Sequence, residues 1–396
     1  MRILLRLLVI ASLVSILFAC TTPPPQQSSI PEHLFHDQLF AAQHDVIDHQ
    51  QIFKVNPAMR QFIATYITPD LKHKSMQQAL FDALYHKGQL RLTYDASVTR
   101  DAADTFAARA GNCLSLVIMT AALAKELDLT VQYQHIIVDQ NWSRSGELYF
   151  SNGHVNIVLG KKRFDTRQSY DKSYWLTIDF LPPEDTAGQK SFELEEKTII
   201  AMYMNNRAAE ALARNQLDQA YWWAREAIAS DANFATAYNT LGVIYYRHNN
   251  LDAAYQASLQ ARRLSPENTS AMANMVQILT SLGKVDEAKK LNAQLTQAQP
   301  IAPFYFFKQG LAAMEKSDFK QAKLWFEKEL ARAPDYHEFH FWLGLAHYRL
   351  GEFKQAEEQL TLAKASSLNK KDHALYQAKL DHLHSISQQG RGLQIN

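Results

Sequence analysis

Two cysteines occur in the 396 residues, and one of them, Cys113, stands where a thiol can react. The stretch AARAGNCLSLVIMTAALAKELDLT (107–130) predicts a helix opening after Asn112, a residue whose side chain caps helix starts by accepting a backbone N–H. Cys113 is then the first helical residue. Unpaired N–H groups and the positive end of the helix dipole lie there; they favour a thiolate and can receive an oxyanion. The other reading is a small buried residue, which is expected mid-helix on the apolar face. Both readings stand at this point. His44 and His49 are five residues apart, a poor match to the i, i+4 pair of a zinc-binding helix, so no metal and no cofactor is expected.

The elements around this helix follow from periodicity. Residues 34–92 carry apolar residues at three- and four-residue spacing and predict helices over 34–53, 56–67 and 74–92. Asp101 to Arg109 predicts a short helix stopped at Gly111, and the thiol helix is expected to run to about Leu127. Strand patterns then take over at 131–138, 147–151, 153–160 and 174–180. Helices, then the thiol helix, then antiparallel strands make an α+β layout. His135, inside an apolar strand, reads as a core residue.

Thr99, the small residues of 102–108, Arg109-x-Gly111-x-Cys113 and the long helix after them resemble the transglutaminase-like, papain-related superfamily. The resemblance covers about residues 80–183. It implies Cys113 as nucleophile, His154 at the start of GHVNIVL as base, and Asp179 at the end of WLTID as the acid that orients the imidazole. The family usually has a shorter gap between His and Asp, and an aromatic residue soon after the His, where this chain has Asn156. Asp165 is the rival acid, and Asp179 is preferred because its strand pattern is followed by Pro-Pro. The implied chemistry is thiolate attack on an amide carbonyl and passage of a thioester to water. That is cysteine peptidase or amidase activity, and water is expected as acceptor rather than an amine.

The C-terminal half repeats. Alanine stands at 220, 254, 288, 322 and 356, an apolar residue three positions before each, and a mostly small one twelve before: Ala208, Gly242, Val276, Gly310 and Gly344. A 34-residue unit with small residues at a helix crossing resembles the tetratricopeptide repeat, TPR. Five units are expected over 201–370, stacked into an all-α superhelix (solenoid) and ended by a capping helix and tail over 371–396. The resemblance implies a protein or peptide partner on the concave face. Asn205, Asn239, Phe304, Phe307 and Phe341 are the candidate partner-binding residues, with the aromatic run PFYFF (303–307) read either as a groove or as inter-repeat core.

The N-terminal end completes the layout. Arg2 and Arg6, an apolar run and LFAC read as a secretory signal over 1–20, and the ending resembles a bacterial lipobox with Cys20 as the lipidation site. A Pro/Ser/Gln tether follows over 21–33, then the thiol domain over 34–183 and a connector over 184–200. Thr21 after the cysteine points to the outer membrane. The expected location is therefore the cell envelope, lipid-anchored at the periplasmic face of the outer membrane, with no membrane contact beyond the anchor. With 41 basic against 40 acidic residues there is no electrostatic basis for nucleic-acid binding. Two functions fit: an envelope cysteine hydrolase whose repeats recruit a partner, or an inert scaffold whose repeats do the binding.

Overall fold

The computed structural model describes residues 30–392 apart from 43–46, 86–89, 91, 96–97, 137–141, 146–147, 152–153, 163–174, 181–188, 300, 302–303, 335 and 368–369. The expected signal, Cys20, most of the tether, His44 and Asp165 lie outside the described residues.

Among the described residues of 32–51 the chain forms three short 3-10 turns, Glu32–Leu34, Asp37–Leu39 and His49–Gln51, where the periodicity predicts one helix. The reason lies two hundred residues away. Backbone groups that a helix would pair internally are met by side chains of the first repeats: the His36 N–H donates to Tyr245 Oη at 3.2 Å, and Ala41 N–H to Asp218 Oδ1 at 2.9 Å. Tyr245 donates in turn to the Leu34 carbonyl at 2.7 Å, and Trp222 Nε1 to that of Ala41 at 2.8 Å.

Helix α1 (Pro57–Phe62) starts at an Asn56 cap with proline at its first position and continues through a π turn, Ile63–Ile67, and a 3-10 turn, Thr68–Lys72. Helix α2 (Met76–Tyr85) follows. Strand β1 (Thr93–Tyr94) pairs in parallel with β2 (Ala110–Gly111), and α3 (Ala102–Ala108) lies between them in sequence. The expected stop at Gly111 is instead at Arg109, which turns left-handed at φ 51°. Glycine at 111 answers a different need: a Cβ there would lie 2.7 Å from Ser115 Cβ.

Helix α4 (Cys113–Glu126) is the centre of this half. All of residues 114–124 are buried, as a helix apolar on every side must be. Against it packs an antiparallel sheet in the order β7–β6–β3–β8, built from β3 (Leu129–Ile136), β6 (His154–Lys162), β7 (Leu176–Ile178) and β8 (Ser191–Leu194), while β4 (Trp142–Ser145) and β5 (Leu148–Ser151) form a separate antiparallel pair. The region expected as a connector thus contributes a strand, with Tyr133 opposite Leu194 and Ile136 opposite Ser191.

From Glu196 onward the chain is a helical solenoid: α5 (Glu196–Ala213), α6 (Leu217–Ser230), α7 (Ala235–Arg247), α8 (Leu251–Leu264), α9 (Thr269–Ser281), α10 (Val285–Ala298), α11 (Tyr305–Glu315), α12 (Phe319–Leu330), α13 (His337–Arg349) and α14 (Phe353–Ser366), closed by α15 (Lys370–Gly392). In three of the repeats a glycine of the first helix faces the second helix. A Cβ on Gly242 would meet Ser258 Oγ at 2.7 Å, one on Gly310 the Phe326 ring at 2.3 Å, and one on Gly344 the Leu360 Cγ at 3.0 Å. The turn inside each pair has its own signature at the same period. Asn215, Asn249, Gly283, Ser317 and Gly351 all have positive φ, and each following N–H reaches back five residues, as Gln216 does to the Ala211 carbonyl.

Phe326 is fully buried, so it cannot swing away from a methyl group at 310. Gly310→Ala is therefore expected to destabilise the array by about 1–3 kcal/mol through overpacking, against a helix-propensity gain of about 1 kcal/mol. A lowered midpoint in urea unfolding is the readout; an unchanged or raised midpoint contradicts the close packing.

The two halves share a core. Buried residues from Leu34 through α4 and the sheet run without a break into Ile199, Met204, Tyr221, Tyr238 and Tyr245. Phe40 stacks on Tyr221 at 4.0 Å, and Asp37 accepts from both the Tyr221 hydroxyl and Arg225. Among the described residues no helix is long and apolar enough to cross a membrane.

Candidate active site

The start of α4 is held from four directions. Asn112 Oδ1 accepts the Ser115 N–H at 2.9 Å, and Asn112 Nδ2 donates to Thr99 Oγ1 at 2.9 Å. Ser115 Oγ accepts the Arg100 N–H at 2.9 Å, and the Arg100 guanidinium bridges Asp95, at 3.0 Å, and the Ala110 carbonyl. The β1–β2 ladder adds Thr93 N–H to the Arg109 carbonyl and Asp95 N–H to that of Gly111. Cys113, half-buried and free, is the first residue after this clamp. Its position is fixed more firmly than an ordinary helix end, since side chains and a strand replace water as partners of the frayed turn.

His154 enters from the sheet. It opens β6 opposite Ile136 and is 3% exposed, the rest of its surface covered by protein. Its Nε2 lies 2.6 Å from Asp179 Oδ1. The Cys113 thiol lies near enough to the same ring to favour its charged form. Burial alone works against an imidazolium here. The Asp179 hydrogen bond, and after it Cys113, outweigh burial and hold His154 up at about 9.

Asp179 follows β7 directly and is positioned by two groups to which the sequence reading gave no role. Asn156 Nδ2 donates to its other carboxylate oxygen at 3.2 Å, and Tyr85 Oη donates to its backbone carbonyl at 2.6 Å. Tyr85 also stacks on Phe180, and its own hydroxyl is pushed up to about 12 by burial and then by the Asp179 charge. Asn156, noted in the sequence only as a departure from an aromatic, thus serves as a polar partner of the carboxylate. His135 lies opposite Val155 in the β3–β6 register, with its ring stacked on Phe192 at 4.8 Å. Burial, then the charge of His154, lowers its pKa.

A fourth side chain lies near the thiol: Tyr94, opposite Gly111 in the parallel ladder two residues before Cys113. Its own pKa is raised by burial and then by the charge of Cys113. No motif in the sequence singles it out. Among the described residues no group of three or more His, Cys, Asp or Glu could hold a metal ion, and His49 is paired with Glu226 at 3.0 Å.

The candidate partner-binding residues of the array fall in different places. Phe307 is fully buried, Phe304 and Phe341 nearly so, and all three belong to the cores between repeats. The groove reading is corrected for them. Phe304 takes a left-handed φ of 59° while its ring makes edge contacts with Phe307, Tyr336 and Phe339. Asn205 is also buried, whereas Asn239 is half-buried and accepts from Asn274 Nδ2 at 3.0 Å. One hollow of the array, about 560 Å³, lies between α11 and α13, lined by Leu311, Met314, Phe319, Trp342, Leu345 and Tyr348 together with Glu315 and Arg349.

Residues 307–369 match the family model described as tetratricopeptide repeat. Tetratricopeptide repeats are thus present in the C-terminal part of the helical array. The chain is also similar to the STIP1 homolog protein of Dictyostelium discoideum, at 30% identity over 155 residues, 37% of this chain. It spans 26% of the length of that relative. Similar solved structures are YrrB, a TPR protein with an unusual peptide-binding site (20% identity, 46% of this chain and 92% of that one, TM-score 0.25), and PilF of Pseudomonas aeruginosa (19% identity, 50% and 99%, TM-score 0.27).

Proposed function

We propose that the chain is a transglutaminase-like cysteine hydrolase of the cell envelope, which cleaves a peptide or amide bond while its repeats hold a protein partner or substrate. The observation that carries this reading is the His154–Asp179 hydrogen bond of 2.6 Å, with Cys113 opening the neighbouring helix and favouring the charged form of the same imidazole. His154 takes the thiol proton and the sulfur attacks the carbonyl carbon. His154 then returns the proton to the leaving amine, and water, deprotonated by the same ring, releases the acyl group from the thioester. Asp179 keeps the ring oriented and stabilises its positive charge. The hollow between α11 and α13 is the peptide site this reading favours, in place of the buried phenylalanines. The proposal includes lipid attachment at Cys20 and a location at the periplasmic face of the outer membrane.

A second reading has support of its own, because the matched family concerns the repeats alone. In it the thiol domain is inert and the molecule is an envelope scaffold. Alkylation separates the two. Iodoacetamide applied to the native protein across pH 5–9 is expected to modify Cys113 at neutral pH faster than it modifies the unfolded protein. A native rate at or below the unfolded one sinks the hydrolase reading. In cells, Cys113→Ala is expected to abolish the phenotype that deletion produces; full complementation by Cys113→Ala would favour the scaffold.

A further inference from the structure

Asn112 sets where the thiol helix begins, and its amide serves two partners at once. Its Oδ1 accepts the Ser115 N–H at 2.9 Å, which is the helix cap, while its Nδ2 donates to Thr99 Oγ1 at 2.9 Å. One orientation of the amide plane meets both, so the Thr99 hydroxyl fixes the cap and with it the start of α4 at Cys113. What fixes Thr99 lies in the other half of the molecule. Glu210 Oε1, on α5, accepts the Thr99 N–H at 2.6 Å, and Arg207 Nη1, one turn earlier, donates to the Thr99 carbonyl at 3.2 Å.

We propose that Glu210, on the first helix of the array, is a positioning residue for the Cys113 thiol and acts through Thr99 and the Asn112 cap. The inference rests on the hydrolase reading above. Thr99 lies in neither a helix nor a strand and is 1% exposed, so water cannot replace a partner that it loses. Its N–H and its carbonyl are both met from α5, and its hydroxyl oxygen is met by Asn112. The next residue reaches the same turn, since the Arg100 N–H donates to Ser115 Oγ at 2.9 Å. Residues 99 and 100 therefore touch the first turn of α4 at two points and the array at two more.

Glu210 is itself held for this task. Its second oxygen lies 3.4 Å from Arg207 Nη1, and the Arg207 guanidinium sits over the Trp223 ring at 5.4 Å. An N–H bound to a carboxylate makes a shorter and stronger bond than one bound to a neutral acceptor, which suits a contact that must not drift. The need for such a contact comes from the way the site is assembled. Cys113 is carried by α4 and His154 by the sheet, so sulfur and imidazole meet correctly only if the start of α4 keeps its place. With Glu210 removed, Thr99 can shift, the Asn112 amide turns with it, and the sulfur moves off line.

Acylation of Cys113 by p-nitrophenyl acetate in the full-length protein tests this, at a temperature where every variant is folded. Glu210→Ala is expected to slow it by about 10- to 100-fold, the usual cost of a misplaced reacting atom, and Glu210→Gln, whose amide oxygen still accepts the Thr99 N–H, to stay within about threefold of wild type. Thr99→Val keeps the backbone bonds to α5 and removes only the hydroxyl that holds Asn112. It should be slow as well, and the double variant Thr99→Val with Glu210→Ala no slower than the slower single one, because both break the same path. Amide exchange at Ser115 should quicken in Glu210→Ala, a local change that a general loss of stability does not single out. Glu210→Asp, a carboxylate one methylene short of Thr99, takes the place of the alanine variant if that one does not fold. Acylation of Glu210→Ala at the wild-type rate overturns the inference. So do single losses that multiply, or a glutamine variant as slow as the alanine one, since Glu210 would then act elsewhere than through Thr99. A wild-type protein inert to the ester is a distinct result, which defeats the hydrolase reading and this inference with it.

Discussion

His154→Ala is expected to slow acylation of Cys113 by about 10² to 10⁴-fold, the range usual for loss of a general base. Asp179→Asn should lose part of the same factor, because the ring remains while its partner can no longer bear charge. The readout is the rate of p-nitrophenol release with the wild type as reference; a loss under about threefold in His154→Ala would remove the imidazole from the mechanism. The same residue ties stability to pH. Its folded pKa, about 9, is above its ordinary 6.5, so the charged ring stabilises the fold in full below about pH 6.5. That contribution is lost as pH rises through 9. His154→Gln cannot make it at any pH, so the gap in melting temperature between wild type and variant should be widest in acid and close by pH 9.5. A gap that widens with pH would reverse the assignment.

Phe307→Ala is the second large effect. The ring is fully buried, lies 5.0 Å from Phe339 and 5.6 Å from Phe326, and its backbone N–H donates to the buried carboxylate of Glu329 at 3.0 Å. Truncation leaves a cavity that neighbouring rings cannot fill, at a cost of about 3–5 kcal/mol. In a solenoid each repeat is stabilised through its neighbours, so the fourth and fifth repeats should melt ahead of the rest. Hydrogen exchange over α11–α14 reads this directly. Protection unchanged there would mean that the aromatic cluster contributes little. A surface groove residue would behave otherwise, losing partner affinity and keeping stability.

The sequence shows what is local or periodic. Asn112 before Cys113 marks a helix start within four residues, and the structure has Asn112 as the cap. The 34-residue period survives because each crossing repeats the same steric demand, as Gly242 with Ser258 and Gly344 with Leu360 illustrate. One periodic signal went unread: the left-handed turn positions 215, 249, 283, 317 and 351, held by Asn, Gly or Ser. What escaped has partners far along the chain. Residues 34–53 have helical spacing but satisfy their backbone on Tyr245, Asp218 and Trp222, which no local window contains. Asn156, Tyr85 and Tyr94 belong to the site through strand register and helix packing. Nothing in their immediate neighbours marks them. The phenylalanines were ambiguous because core and groove share a composition, and only burial separates them.

The unbroken core between the sheet domain and the first repeats has a consequence for inheritance and engineering. Here α5 covers part of α4, Glu210 takes the Thr99 N–H at 2.6 Å, and Tyr221 and Tyr245 are roofed by residues 34–41. Cutting at Glu195 would strip apolar surface bare on both fragments. Neither half is a free-standing part, so a change of partner in the array and a change of chemistry at the thiol must evolve within a single folding unit.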